Sequence, residues 1–106
     1  MRTHKLTEMV GGWFVGQFHP AVLRTGHFET AVKYYQRGDR EPLHHHKVAV
    51  EITVVASGEV RMCGQVFGKG DIIFLDPGDS TDFEALEDAI TVVVKLPSVA
   101  GDKYLD

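Results

Sequence analysis

Turn residues restrict this chain more than any other feature. Eleven glycines and four prolines divide 106 residues into pieces that alternate or are β-branched, with little of the i, i+3, i+4 recurrence that a helix requires. From Phe28 to Arg37 the residues alternate, giving a half-exposed strand with Phe28, Thr30, Val32, Tyr34 and Gln36 on one face and Glu29, Ala31, Lys33, Tyr35 and Arg37 on the other. Val48 to Ala56 (VAVEITVVA) reads as a strand buried on both sides. Residues 58–71 read as a hairpin, a short return strand and a turn, and Ile72 to Leu75 is a strand stopped by Asp76-Pro77-Gly78. Asp82 to Asp88 is the one helix candidate, too short to stand alone, and is read as strand plus turn. Ala89 to Leu96 is the last clear strand, ended by Pro97. Short strands with a turn about every ten residues predict an all-β sandwich or barrel, and the length predicts a single domain spanning 1–106.

Charge and cysteine content narrow the partners. The net charge is −4, and Asp76 to Asp88 contains no lysine or arginine, which argues against a nucleic-acid partner and reads as a solvated sheet edge. Cys63 is the only cysteine, so no intramolecular disulfide framework or multi-cysteine zinc site is available; it reads as a buried structural thiol. No apolar run approaches the roughly 18 residues of a membrane span. The first ten residues carry no apolar secretion segment. A cytoplasmic protein that does not associate with membranes is expected.

The chemistry concentrates in Gly38 to Gly58. His44, His45 and His46 are consecutive, so in an extended backbone His44 and His46 share one side and His45 takes the other. A run of histidines can also be a solvated loop that binds metal adventitiously. Glu51 favours the first reading, because a carboxylate within a Val and Ile run costs several kcal/mol if buried without a partner. Two imidazoles and one carboxylate with open positions suit a divalent ion of the iron or manganese kind.

The spacing Gly38-x5-His44-x-His46-x4-Glu51-x6-Gly58 resembles the first signature of the cupin superfamily at every fixed position. The second signature is kept in part: Gly70, Pro77 and Gly78 are in register, Asp76 stands where a proline is usual, and Thr81 stands where a third metal-binding histidine is usual. The resemblance implies a jelly-roll β-barrel with a pocket lined by His44, His46, Glu51 and Thr81. It also implies a divalent metal (Fe, Mn, Ni or Zn) held by His44, His46 and Glu51. Strand alternation turns Asp82 away from Thr81, so neither Asp82 nor Asp79 is expected to replace the missing ligand.

Three functions fit. The first is metal-assisted catalysis of the isomerase, lyase or dioxygenase type on a small polar metabolite, with His44, His46 and Glu51 as the working residues. The second, from a further resemblance to cupin ketoisomerases acting on nucleotide-linked sugars, is metal-free proton transfer by His44 and His46. The third is a binding or sensing module without turnover. A homodimer is expected, with Trp13 to Phe18 laid against a partner's sheet. Trp13, Phe14, Tyr34 and Tyr35 read as barrel wall or dimer contact, His4, His19 and His27 as surface or loop residues, and Arg24, Arg37 and Arg61 as groups free to bind a substrate anion.

Overall fold

A computed structural model describes residues 1–106. After a single 3-10 turn, Leu6–Glu8, the elements are β1 (Trp13–Gly16), β2 (Leu23–Arg24), β3 (Glu29–Tyr35), β4 (Arg40–His45), β5 (Val50–Ser57), β6 (Glu59–Met62), β7 (Gln65–Gly68), β8 (Ile72–Leu75), β9 (Ser80–Ala85), β10 (Ala89–Leu96) and β11 (Tyr104–Leu105). Six strands pair in the order β2-β1-β3-β10-β5-β8, and five in the order β11-β4-β9-β6-β7. The two sheets enclose one interior, so the all-β reading holds, as do the β8, β9 and β10 segments.

That interior is divided along the strands. On β5 the inward residues are Glu51, Thr53 and Val55; on β10 they are Lys95, Val93 and Thr91. Pairing of β3, β10 and β5 aligns them in rungs: Glu29–Lys95–Glu51, then Ala31–Val93–Thr53, then Lys33–Thr91–Val55. The end containing Val55, Val60, Met62, Leu75, Phe83, Ala85 and Ala89 is an apolar core, worth about 1.5–3 kcal/mol for each large side chain removed from water. The other end is polar.

On β3 the strand is half-exposed as expected, and the face bearing Glu29, Lys33 and Tyr35 turns inward while Tyr34 is 70% exposed. Other local expectations are corrected. The β5 strand is not buried on both sides: Ile52 and Val54 lie on the outer face and are half-buried, beside the exposed Ile72 and Phe74 of β8. Cys63 is not a buried thiol. It is exposed and forms the β6–β7 turn with Gly64, both at positive φ (52° and 73°), the geometry of a two-residue hairpin turn.

The acidic segment is not a sheet edge, because β9 lies between β4 and β6, where Glu84 faces outward and meets Arg40 at 3.0 Å and Arg61 at 3.1 Å. Trp13 to Phe18 does not lie free for a partner either, since β1 pairs with β3 and β2 of its own sheet. Gly58 has φ +82°, and a Cβ there would run into the backbone of Asp88 and Ala89 where β10 begins. Only glycine suits that crossing.

Candidate metal centre and its cavity

His44 and His46 face the interior from β4 and its end, and an irregularity in β4 sets their direction. Glu41 pairs with Phe83 and His44 with Thr81, so three steps on β4 match two on β9. The extra residue is a β-bulge at Pro42–Leu43, which lets both Glu41 and His44 point inward although a regular strand would turn one of them out. His44 and His46 are buried (5% and 6% exposed), with rings edge to face at 5.6 Å. His45 turns outward as expected, stacks on Tyr104 at 5.5 Å, and places Nδ1 2.7 Å from Asp106.

Each inward imidazole is fixed by a backbone carbonyl. Nδ1 of His44 donates to Pro42 O at 2.8 Å, and Nδ1 of His46 donates to Asp102 O. A carbonyl only accepts, so these partners assign the proton to Nδ1 and leave Nε2 of both rings for the cavity. The same Asp102 accepts backbone N–H bonds from Lys47, Val48 and Ala49, the closest at 2.9 Å, and so closes the β4–β5 turn. Burial pushes its carboxyl pKa up, but these N–H groups outweigh it and hold the group below the ordinary aspartate range.

Glu51 stands 3.5 Å from His46 Nε2 and accepts from Thr53 Oγ1 at 3.4 Å. Burial raises the Glu51 pKa; the hydrogen bond and charge of His46, with Lys95 and His44 nearby, overcome that and leave it lowered. His46 is shifted upward, chiefly by its bond to Glu51, against the opposing cost of burial. Both shifts have the same cause, since each partner favours the charged form of the other.

The cavity has a volume of about 190 Å³. Besides the histidines and Glu51 it is lined by Thr81, which is buried and donates to Asp82 O at 2.7 Å, and by Tyr35, whose hydroxyl donates to Glu41 at 3.2 Å and lies beside Thr91. Burial and Glu41 push the Tyr35 phenol pKa well up. Thr91 Oγ1 is buried with no hydrogen-bond partner. Lys33 and Lys95 also line the cavity, with Nζ 5.5 and 5.3 Å from the Trp13 ring centroid.

Trp13 and Tyr35 therefore line the site as well as forming wall, whereas Tyr34 and Phe14 do not. Asp79 and Asp82 are exposed and bind the backbone N–H groups of Asp76 and Cys63. Arg24, Arg37 and Arg61 are exposed and outside the cavity, so the expected anion-binding arginines give way to lysines. Sequence reasoning missed Asp102, Glu29, Lys33 and Lys95. The signal that exposed Glu51 was also present for Lys95, a charge in the run AITVVVKL, and the two are cross-strand neighbours.

The donors fit a divalent ion by chemistry: two imidazoles with Nδ1 held by carbonyls and one carboxylate, all lining one cavity. They do not form a closed set in the structure, where no group of three or more His, Cys, Asp or Glu side chains is gathered for a metal. No helix is long and apolar enough to cross a membrane.

No family model matches the sequence, and no curated protein matches it. Solved structures do. An uncharacterized conserved protein with a double-stranded β-helix domain from Klebsiella pneumoniae is 25% identical with a TM-score of 0.73, over 98% of this chain and 90% of its own. An RmlC-like cupin from Shewanella frigidimarina is 19% identical with a TM-score of 0.65, over 72% of this chain and 71% of its own. Oxalate decarboxylase from Bacillus subtilis, described with Mn(II) centres, is 20% identical with a TM-score of 0.63, over 76% of this chain and 24% of its own. With two sheets around one interior and a polar cavity at one end, this chain has the double-stranded β-helix fold of the cupins.

Proposed function

We propose that this protein binds one divalent metal ion through His44, His46 and Glu51 and acts on a small polar metabolite in the adjoining cavity, as a single domain in the cytoplasm. The observation that carries this reading is the tethering of both inward imidazoles at Nδ1 to backbone carbonyls, which leaves two Nε2 atoms in one cavity with the half-buried Glu51 carboxylate. Bound there, a divalent ion would polarise a carbonyl or hydroxyl of the substrate. The protein's own part is to keep the histidine tautomers fixed, to supply Glu51 as an anion, and to hold protons at Tyr35 and His46. Elemental analysis of untagged protein, purified without chelator or added metal, tests the reading. Near-stoichiometric iron, manganese, nickel or zinc is expected in the wild type and little in a His44→Ala, His46→Ala double variant. Metal-free protein that takes up none of these ions on addition would overturn it.

A second reading has its own support. His46 Nε2 lies 3.5 Å from Glu51, and an imidazole with a raised pKa beside a carboxylate can pass a proton to and from a substrate. Metal-free turnover, surviving chelation, would select it.

We also propose a homodimer, with the contact moved from the expected N-terminal strand to the outer face of the six-stranded sheet. Ile72 and Phe74 are 67% and 55% exposed there, beside Ile52 and Val54 of β5, and a contiguous apolar face of this kind favours a partner surface. Light scattering at tens of micromolar is expected to give twice the chain mass for the wild type and the monomer mass for Phe74→Lys. A monomeric wild type would refute the dimer.

A further inference from the structure

Two lysines stand inside the barrel where neither packing nor the histidine site requires them. The Lys33 and Lys95 side chains are only 23% and 12% exposed, and both point toward Trp13. Each has a glutamate partner at long range: Lys33 Nζ is 3.6 Å from Glu41 and Lys95 Nζ is 3.8 Å from Glu29. A charge-assisted hydrogen bond closes to about 2.7–2.9 Å, so these ammonium groups are balanced in charge yet keep N–H donors in hand. Lys103 also lines the cavity but is exposed to solvent. Once Glu51 is committed to His46 or to a metal, Lys33 and Lys95 are left with Glu41 and Glu29, each farther than a hydrogen bond. Their free N–H donors can take an anion.

Other features describe the anion. The cavity is compact, about 190 Å³, so the ligand is small. No arginine lines it, and a phosphate dianion is ordinarily gripped by a bidentate guanidinium fork or by a row of backbone N–H groups. Glu29 and Glu41 would repel a dianion but can accept hydrogen bonds from hydroxyl groups. Thr91 Oγ1 is buried and makes no close hydrogen bond, with the Tyr35 hydroxyl, itself donated to Glu41, beside it, and such groups are ordinarily satisfied.

We propose that the cavity binds a small hydroxy acid, its carboxylate on Lys95 and Lys33 beside Trp13 and its hydroxyl-bearing end toward Thr91, His44 and His46. This names a substrate class for the site proposed above and rests on that cavity being the working site, not on the metal. Trp13 is the only tryptophan, so the protein reports on this end of the cavity by itself. The experiment titrates glycerate, its neutral isostere glyceramide and inorganic phosphate into metal-free and metal-loaded protein at constant ionic strength, following Trp13 fluorescence and binding heat, with metal content measured separately.

Saturable binding of glycerate is expected, with glyceramide and phosphate at least tenfold weaker. Lys95→Met is expected to weaken glycerate at least tenfold with metal content retained, and Arg61→Met, an equal charge loss on the outer surface, to change nothing. Lys33→Met serves in place of Lys95→Met if that variant does not fold. Glyceramide or phosphate binding as well as glycerate, unchanged affinity in the lysine variant, or no saturable glycerate binding in either metal state would overturn the proposal. Glycerate binding in a protein that takes up no metal would keep it and remove the metal reading; metal uptake without glycerate binding would do the reverse.

Discussion

His46→Ala is expected to leave the purified protein nearly free of divalent metal, with affinity reduced by more than roughly 100-fold, while His45→Ala stays at the wild-type metal content. Loss of a hydrogen bond that orients a metal ligand typically costs about 10–100-fold in affinity, and loss of the ligand itself costs more. The two histidines are neighbours of the same chemical type, so the contrast isolates direction: His46 is buried against Glu51, and His45 lies outside on Tyr104. Glu51→Gln is expected to weaken the metal while leaving the fold intact, since the charge serves the ion more than the packing. Metal uptake should also weaken with acidity. The bond to Glu51 raises the His46 pKa and favours a proton there, and a cation at that nitrogen competes with it. Measured by elemental analysis of the three variants, equal metal loss in His45→Ala and His46→Ala would end the site assignment.

Asp102→Ala is expected to destabilise the fold by about 3 kcal/mol, because it strips three backbone N–H groups of a charged acceptor and leaves that of the buried Ala49 with no partner. For a domain of this size that lowers Tm by roughly 12–24 °C. Asp102→Asn keeps an acceptor and should lose less. The sign of the pH dependence follows from a folded-state pKa below the ordinary value: the carboxylate's contribution is complete above the usual aspartate range and disappears as pH falls through the lowered value. The Tm gap between wild type and Asp102→Ala should therefore be wide at neutral pH and narrow in strong acid. Calorimetry at the two pH values checks this, and a neutral-pH difference of only about 2 °C would remove Asp102 from the framework.

The parts of the site that were legible in the sequence are those set by alternation and by charge in an apolar run. Parity placed His44 and His46 together with His45 opposite, and the carboxylate in VAVEITVVA marked Glu51 as an inward residue with a partner. Turn residues located β8 and β10 to the residue. Alternation gives two faces but does not say which is inside, so the charged face of β3 was not recognised as cavity lining. The role of Asp102 depends on the tail returning past β4, where β11 pairs with it, a contact across more than fifty residues that no local pattern encodes. Cys63-Gly64 carries no common turn signature, because positive φ at a cysteine is imposed by the hairpin around it.

The bulge at Pro42–Leu43 gives the site a dependence on chain length as well as on side-chain type. Inward direction along β4 is a matter of odd and even positions, and the extra residue changes the count between Glu41 and His44. A one-residue deletion there would give a regular strand with Glu41 and His44 two positions apart and both still inward, whereas flattening the bulge at full length would turn either Glu41 or the His44 and His46 pair to solvent. In related sequences a one-residue gap at this point is compatible with the centre, while the same gap between His44 and His46 would put the two imidazoles on opposite faces.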